Sequence, residues 1–488
     1  MRFLGAGFPD YPWLFATDGE YTAFASVAVG QFGPIKDHLK ALRDVSLIDN
    51  GTSGKVVHEV VTDGSVYFGS NADPGNTDET AKFPSAVALA WRWTGDNVFR
   101  DEMYGFSKSN MEYIFRELDE DGDLWPEGLG NVERAGMGEE KLDNAVYTIR
   151  GLYDLADMAR SKDDPTTESW ALERAVAMEE KFERDWWFGR KGATQYADSL
   201  RNPGNEQVFQ RHWIGVTPME AELTGQDGEA RPGLASNQHG LAALAERELA
   251  CYTDTFGMYH TGTGPTSAEG GNRGARCDNH VSEVQSERTI FTLNTAIMAV
   301  GEGNYGRLGA DEQQHYTDAN ASLQLIPDEQ PGAMPEIAPS PDYGRSIDRP
   351  FNERAMVLQA WGAYGTIWPV VHQQLGVRPD MGRRALEVTP QVPPQSPQGL
   401  SGKNIRLGSG SVDVSALATN GIYRTTVTPN VTLQKLTVGH TVPRDAEVVS
   451  LTLNGNAVPY EVRNTNRGQE VLVEAATSGE QRLVVTTA

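Results

Sequence analysis

Cysteine is scarce in this sequence of 488 residues, which contains only Cys251 and Cys277. Two cysteines exclude a disulfide-rich scaffold, and the lack of a Cys-x-x-Cys pair excludes the common zinc and thiol-redox motifs. A bond between the two thiols stays open, but we expect both to be inert.

Long apolar runs are also missing. No stretch approaches the roughly 20 apolar residues that a membrane-spanning helix needs, and the N-terminal MRFLGAGFPDYPW lacks the segments of a secretory signal. We therefore expect a cytoplasmic location and no membrane partner. Residues that look functional occur within the first twenty positions, which suggests that a preceding domain is missing or never existed.

Positive charge is in deficit, because 42 basic residues face 67 acidic ones and the formal net charge is −25. A chain this acidic repels nucleic acid and anionic lipid surfaces, so neither is expected as a partner. A neutral substrate such as a sugar is not repelled.

Several catalytic and cofactor motifs are absent. The sequence contains no GxSxG, HExxH, P-loop or dinucleotide fingerprint, which removes the usual support for serine hydrolases, zinc proteases and nucleotide enzymes. The glycine-rich stretch 262–274 lacks the Lys-Ser/Thr ending of a phosphate loop. No metal or organic cofactor is expected.

Two possible metal-binding patterns are weak. The run from Asp119 to Asp123 resembles a calcium loop, but its glycine is misplaced and no glutamate closes it at the usual distance. We expect a solvated turn there. His58, His239 and His280 are too scattered along the chain to indicate a metal site.

Helical periodicity dominates the chain from about residue 20 to residue 375. Apolar residues recur on one face of successive segments, which are separated by polar loops and arranged as helix pairs without strands. This pattern predicts an all-α body. Its two longest loops, at 50–80 and 255–285, are expected to be functional, since such loops are uncommon in compact domains.

The pattern changes after Leu386. A proline-rich connector, VTPQVPPQSPQGL, is followed by short alternating runs and by a hairpin signal at Asn454 and Gly455. These features predict a C-terminal β-sandwich. The expected organisation is a helical domain over 1–387, a linker over 388–402 and a β-sandwich domain over 403–488.

Carboxylates beside aromatic or proline residues are the remaining chemical signal. They occur in FPDYPWLFATDGEY, DLWPEGLGN and GAMPEIAPSPDYG, which contain Asp18, Glu127 and Glu336. Aromatic faces stack on sugar rings, and a pair of carboxylates performs the proton transfers of glycosidic cleavage. Taken alone, Glu127 is also consistent with a surface residue, and Asp18 is also consistent with a helix N-cap.

These segments together resemble the glucosidase domain of glycogen debranching enzymes and, more distantly, glucoamylases. LWPE at 124–127, followed by LDNAVY at 142–147, is similar to the general-acid region of these families. PEI at 335–337, followed by LQAW at 358–361, is similar to the region of their catalytic base. The resemblance covers roughly residues 8–375 and implies a mainly α fold, an (α/α)6 toroid followed by the small β-sandwich.

The resemblance also implies residue roles. Glu127 is expected to be the general acid and Glu336 the general base of an inverting mechanism. The residues expected to bind the sugar are Trp13, Asp18, Trp125, Glu139, Glu140 and Trp361.

The sequence therefore predicts an inverting, exo-acting α-glycosidase that hydrolyses an oligosaccharide or polysaccharide, most simply an α-glucosidase for 1,6- or 1,4-linked gluco-oligosaccharides. Another glycosidase of the same fold, trehalase-like or α-mannosidic, is an alternative, as is a sugar phosphorylase. A non-catalytic carbohydrate-binding protein is the alternative from a different class.

Overall fold

The structure is a computed structural model, and it describes residues 2–189, 193–226, 228–267, 276–279, 288–325, 332–338 and 356–488. His280, part of the glycine-rich stretch 262–274 and the end of GAMPEIAPSPDYG lie outside these residues. The described chain forms a body rich in helices followed by a C-terminal domain of β-sheets.

Eleven helices of the described body are α-helical. They are Ala16–Ala28 (α1), Phe32–Asn50 (α2), Thr77–Thr94 (α3), Asn97–Glu117 (α4), Leu142–Arg160 (α5), Pro165–Trp186 (α6), Thr217–Glu220 (α7), Asn237–Arg247 (α8), Thr292–Asn304 (α9), Gln313–Leu323 (α10) and Tyr364–Trp368 (α11).

Local chemistry accounts for several helix ends. Asp96 caps α4 by accepting a hydrogen bond from the backbone N–H of Phe99, and Asp164 caps α6 in the same way, with Pro165 in the first turn. Carboxylates at this position satisfy backbone donors that have no partner inside the helix. Helix α3 ends at Gly95, whose φ of 68° lies in the left-handed region that glycine adopts readily.

The first helices of the pairs form a closed cycle of contacts. Helix α1 contacts α3, α3 contacts α5, α5 contacts α7, α7 contacts α9, α9 contacts α11, and α11 contacts α1. Helices α2, α4, α6 and α10 each pack against the preceding member of this cycle. The cycle therefore brings the starts of α1, α3, α5, α9 and α11, which are distant in sequence, around a common centre.

The expectation of a body without strands is wrong. Sixteen strands of two or three residues lie among the described helices: Gly7–Phe8 (β1), Leu14–Phe15 (β2), Glu59–Val60 (β3), Val66–Phe68 (β4), Glu140–Lys141 (β5), Trp187–Phe188 (β6), Gln195–Tyr196 (β7), Ser199–Arg201 (β8), Glu206–Val208 (β9), Glu222–Thr224 (β10), Ala230–Pro232 (β11), Thr253–Asp254 (β12), Gly257–Met258 (β13), Ile290–Phe291 (β14), Ile337–Ala338 (β15) and Leu358–Gln359 (β16). Strands this short leave no alternating pattern in a sequence.

The last predicted helix is also interrupted. The LQAW segment begins with strand β16, continues as a 3₁₀ turn over Ala360–Ala363, and reaches α-helical geometry only in α11. A π-helical turn, Pro369–Gln374, follows. Among the described helices, none combines the length and the apolar character needed to cross a lipid bilayer.

The predicted C-terminal β domain is confirmed. Its strands are Val377–Asp380 (β17), Ala385–Val388 (β18), Leu400–Leu407 (β19), Gly410–Thr419 (β20), Ile422–Asn430 (β21), Lys435–Val442 (β22), Val448–Leu453 (β23), Asn456–Ala457 (β24), Glu461–Thr465 (β25), Gly468–Ala475 (β26) and Gln481–Thr487 (β27). They form one sheet in the order β17-β18-β22-β26-β25 and another in the order β19-β20-β21-β27-β23-β24.

The two sheets contact each other through β22, β21 and β27. The predicted hairpin is present between β23 and β24, where Asn454 and Gly455 both have positive φ. The first sheet includes β17 and β18, which both begin before residue 388, because β18 pairs in parallel with β22. The sheets thus begin earlier in the chain than the expected start of the β domain, whose exact boundaries stay a prediction.

Cys251 and Cys277 form a disulfide bond. The expectation of two inert thiols is therefore wrong, and the sequence could not have resolved it. The bond joins the loop after α8 to the described segment 276–279.

Candidate active site

A cavity of about 270 Å³ opens at the end of the body where the first helices of the pairs begin. Its lining comes from segments at the starts of α1, α9 and α11, from the loop that precedes β5, and from residues beside β3, β13 and β15. The lining residues are Tyr11, Trp13, Phe15, Thr17, Asp18, His58, Glu59, Asn131, Glu133, Arg134, His260, Phe291, Glu336, Gln359 and Trp361.

Glu336 lies in the wall of this cavity, and only 7% of the residue is exposed. Its Oε2 accepts hydrogen bonds from the Tyr11 hydroxyl at 2.5 Å and from the backbone N–H of Met356 at 3.1 Å. The backbone carbonyl of Glu336 accepts from the N–H of Thr292 at the start of α9. Both donors to the carboxylate stabilise its ionised form.

Asp18, in the first turn of α1, is a second buried carboxyl in the cavity. Its Oδ1 accepts a hydrogen bond from Gln359 Nε2 at 2.5 Å. Burial raises the pKa of Asp18 to about 7, against the opposing charges of His58 and Lys82. The shift favours the protonated form more than in an exposed aspartate, and a protonated Asp18 can also donate a hydrogen bond.

His58 provides a positive charge at the cavity. Burial acts to lower the pKa of its imidazole, but the charge of Glu79 and a hydrogen bond to it, with Glu59 and Asp78, outweigh burial and raise the pKa to about 9. His58 is consequently an imidazolium at neutral pH. Glu79 is fully buried at the start of α3, so the pair is held by the helical body.

Glu133 reaches the cavity from the loop 128–139, which directly precedes β5. Glu133 is exposed at its edge, next to Arg134, and its negative charge contributes to raising the pKa of Glu59, after the larger effect of burial. Asn131 in the same loop is anchored by its backbone N–H, which donates to Asp143 at the start of α5. Helix α5 thereby supports this loop.

Aromatic rings and unpaired polar atoms complete the cavity. The rings of Trp13 and Phe15 are nearly parallel, with an angle of 5° between their planes and 6.3 Å between their centroids. Trp361 is buried in the wall of the cavity. Trp361 Nε1 and Gln359 Oε1 are buried and have no hydrogen-bond partner among the described residues. A buried donor and a buried acceptor of this kind are costly unless a ligand satisfies them.

Four of the residues predicted from sequence thus come together in the cavity: Trp13, Asp18, Glu336 and Trp361. Trp125 does not. It is fully buried, packs against Phe182 and Trp186, and donates from Nε1 to Asp185. Its ring therefore has no free face for a sugar, and its assignment to substrate binding is corrected.

Glu127 also lies outside the residues that line the cavity. Its Oε2 accepts from the backbone N–H of Glu120 at 3.0 Å, and its Oε1 accepts from Asn202 Nδ2 at 3.3 Å. Burial, and then the negative charges of Asp121 and Asp119, raise the pKa of Glu127. The aromatic residues of the cavity lining are Tyr11, Trp13, Phe15, Phe291 and Trp361, and Glu127 does not line the cavity with them. The general-acid role expected of Glu127 therefore stays a prediction, with no support from the lining of this cavity.

Glu139 and Glu140 are likewise outside the cavity lining. Glu139 is exposed and accepts a hydrogen bond from the backbone N–H of Asn202, which contributes most to lowering its pKa. Glu140 is fully buried in β5 and pairs with Leu200 of β8. Neither residue lines this cavity, and the expected sugar-binding role of both stays a prediction.

Sequence reasoning missed Glu133, and it set His58 aside. Glu133 is only six residues after Glu127 in the same long loop, but the polar sequence GNVERAG gives no reason to prefer one acid over the other. His58 lies in the loop 50–80, and the unusual length of this loop was the sequence feature that could have indicated a functional role. Its partner Glu79 is distant enough in sequence that only the fold pairs them.

The described fold is similar to solved glycosidase structures. An α-L-rhamnosidase from Dictyoglumus thermophilum matches with a TM-score of 0.58 and 13% identity over 98% of this chain and 46% of that chain. An α-L-rhamnosidase from Streptomyces avermitilis, complexed with L-rhamnose, matches with a TM-score of 0.59 and 14% identity over 98% and 39%. A bacterial glucoamylase complexed with acarbose matches with a TM-score of 0.53 and 13% identity over 74% and 49%.

The chain spans less than half the length of these three structures. At such low identity the likeness concerns the fold alone. No protein-family model matches the sequence, and no curated protein matches it.

Proposed function

We propose that this protein is a glycoside hydrolase whose reaction takes place in the cavity that contains Glu336 and Glu133. The observation that carries the proposal is the meeting of these two carboxylates with aromatic rings and unpaired polar atoms in one pocket. Glycosidic cleavage needs two carboxyl groups with different roles, and sugar rings are bound by aromatic faces and hydrogen bonds.

Glu336 is the proposed general base. The hydrogen bonds from Tyr11 and from the Met356 N–H favour its ionised form, which a base needs. In this role the carboxylate would deprotonate the water molecule that attacks the anomeric carbon. This role agrees with the one that the sequence resemblance implied.

Glu133, rather than Glu127, is the proposed general acid. Glu133 lies at the edge of the cavity, where the leaving group of a bound glycoside has to pass, whereas Glu127 does not line it. Glu133 is exposed at this edge, so a leaving group could reach its carboxyl group.

The size of the cavity favours exo action. Small-molecule sites commonly have volumes of about 300 to 1,000 Å³, and a cavity of about 270 Å³ suits a single terminal sugar. Asp18, Gln359 and the Trp361 indole N–H are the proposed contacts of its hydroxyl groups. Trp13 is the proposed stacking platform beside them.

The cyclic order of helix contacts supports an (α/α)6 toroid, the architecture expected from the sequence. An α-L-rhamnoside is the first substrate candidate, because the fold likeness to rhamnosidases extends over 98% of this chain, including its β domain. An α-glucoside is the second, because the glucoamylase likeness covers 74%. Both are neutral and are compatible with the acidic chain. We retain the inverting mechanism as part of the proposal.

The test is hydrolysis of a panel of glycosides by the purified protein. The panel contains aryl α-L-rhamnoside, aryl α-glucoside, aryl α-mannoside, trehalose and a 1,6-linked gluco-oligosaccharide, each with and without inorganic phosphate. We expect release of a monosaccharide from one α-glycoside without a need for phosphate.

Glu336→Gln is the matched variant, and Glu117→Gln, an exposed glutamate paired with Arg116 away from the cavity, is the control. Glu336→Gln should lower kcat by about 10² to 10⁴-fold, the usual contribution of acid–base catalysis. Oligosaccharide binding without hydrolysis would favour a carbohydrate-binding protein. Hydrolysis that survives in Glu336→Gln would contradict the proposed base.

A further inference from the structure

The segment from Asp119 to Glu127, called the acidic loop here, carries five carboxylates and lies directly before the loop that supplies Glu133. Oxygen atoms of Asp119, Asp121 and Asp123 lie within 4.8 Å of one another. Oxygen atoms of Asp121, Glu127 and Glu140 lie within the same distance of one another. Asp121 belongs to both groups, so the two form one continuous cluster.

The spacing inside the acidic loop is that of a calcium-binding loop. In such loops ligands come from positions 1, 3, 5, 7 and 9, with a backbone carbonyl at position 7. Counting from Asp119, these positions are Asp119, Asp121, Asp123, the Trp125 carbonyl and Glu127. The sequence arguments against a site were the misplaced glycine, since Gly122 is at position 4 and not at position 6, and the lack of a closing glutamate at the usual distance.

Glu140 supplies the missing carboxylate from another strand. It forms an antiparallel bridge with Glu127, an arrangement that places the two side chains on the same face. Glu140 is 0% exposed, and neither of its carboxylate oxygens accepts a hydrogen bond from the described residues.

This arrangement is unfavourable without a cation. Like charges directly opposite each other on neighbouring strands are destabilising, and a buried carboxylate needs a partner. Lys181 lies 3.5 Å from Asp123 Oδ2 and contacts the Asp123 carbonyl, so it balances part of the charge. One lysine leaves most of the five carboxylates uncompensated.

We propose that Asp119, Asp121, Asp123, Glu127 and Glu140 form a Ca²⁺-binding site. Two groups of three carboxylates that share Asp121 favour Ca²⁺, which takes six to eight oxygen ligands with waters among them, whereas Mg²⁺ is usually held by one or two carboxylates and keeps several waters. The site accounts for a fully buried glutamate that no protein group neutralises. The proposal of a Ca²⁺ site does not depend on whether the protein is a glycosidase.

The position of the site indicates what the ion does. The Glu127–Glu140 bridge and the hydrogen bond from the Gly128 N–H to the Glu139 carbonyl close the base of the loop 128–139. This loop carries Asn131, Glu133 and Arg134 to the cavity. A Ca²⁺ ion bound at its base would hold these side chains in place.

The experiment is a metal titration of the full chain after treatment with EDTA and gel filtration. Ca²⁺ binding is followed by calorimetry, Tb³⁺ binding is followed by luminescence excited through tryptophan, and the melting temperature is recorded with Ca²⁺, with Mg²⁺ and with EDTA. We expect one Ca²⁺ per chain and a rise of the melting temperature of at least about 2 °C with Ca²⁺. Mg²⁺ should have a smaller effect.

Two variants identify the site. Glu140→Gln removes the buried ligand, and Asp121→Asn removes an exposed ligand whose loss leaves the core intact. Each should weaken Ca²⁺ binding at least about tenfold, while the control Glu117→Gln should bind as the natural chain does. Absence of saturable Ca²⁺ binding, equal binding of Mg²⁺, or unchanged Ca²⁺ affinity in Asp121→Asn would each overturn the proposal.

Discussion

His58 is positively charged because it is paired with Glu79, and the substitution Glu79→Gln tests this dependence. In the natural chain the pKa of His58 is about 9, against an ordinary value of 6.5. Without the carboxylate, burial becomes the dominant effect, and we expect the pKa of His58 to fall toward or below 6.5. The imidazole would then be neutral at pH 7.5.

The size of the effect on stability follows from the same values. A difference of about 2.5 pH units, at about 1.4 kcal/mol each, amounts to about 3.5 kcal/mol for a side chain that is only 14% exposed. Because the folded pKa is the higher one, this stability is fully present below pH 6.5 and is lost as the pH rises to about 9. Between pH 7.5 and 9.5 the loss is about 2 kcal/mol.

The assay has two parts. Histidine-selective NMR follows the nine imidazoles through a pH titration, with His58→Gln to assign the signal, and denaturant unfolding at pH 7.5 and 9.5 follows stability. The natural chain should lose about 2 kcal/mol more than Glu79→Gln over this interval. Glu183→Gln, which removes the partner of His239, is the matched control and should leave the pKa of His58 unchanged.

Titration of His58 near 6.5 in the natural chain, or the same pKa in Glu79→Gln, would refute this reasoning. Buried carboxyls that do not interact with His58 are common to both proteins, so their contribution cancels in the comparison. Asp18 is different, because the charge of His58 lowers its pKa, and its titration therefore forms part of the measured difference.

Two further predictions concern the mechanism and the disulfide. NMR of the first product released from the best glycoside should show the anomer opposite to that of the substrate, because water attacks from the face opposite the leaving group; retention of configuration would show that Glu336 is not a general base. Reduction of the Cys251–Cys277 bond, whose cysteines are 26 residues apart, should destabilise the fold by about 3.5 kcal/mol and lower the melting temperature, whereas Cys251→Ser should be insensitive to reductant. Equal melting of the natural chain with and without reductant would contradict the stabilising role of the bond.

The helical periodicity of the sequence was sufficient to predict most helix pairs. Helix α5 begins at Leu142, as its apolar pattern indicates, and the strands from β19 onward follow the proline-rich connector. The short strands were not predictable, because two residues carry no period and their partners are distant. β1, for example, pairs with β16 across about 350 residues of sequence.

The candidate site was predictable in part for the same reason. Glu336, Asp18, Trp13 and Trp361 stand beside the starts of helices, where local sequence is informative. The choice between Glu127 and Glu133 depends on how one loop crosses the end of the body, which no local pattern records. The position of Glu140 beside the acidic loop could not be predicted from the sequence, because it depends on the pairing of strands β5 and β8.

The dependence of hydrolysis on the leaving group tests the central claim most directly, namely that Glu133 and Glu336 share the reacting cavity. Glu133→Gln, Glu127→Gln and the natural chain are compared, all with saturating Ca²⁺, on an activated aryl glycoside and on a natural disaccharide of the same sugar. An activated leaving group needs no proton, so a variant without its general acid keeps activity on the aryl glycoside alone.

We predict that Glu133→Gln loses at least about 10²-fold in kcat/KM on the disaccharide and far less on the aryl glycoside. For Glu127→Gln any loss should be the same for both substrates, because a change in loop position does not depend on the leaving group. A leaving-group-dependent loss in Glu127→Gln, with a uniform loss in Glu133→Gln, would contradict the account and return the general acid to Glu127.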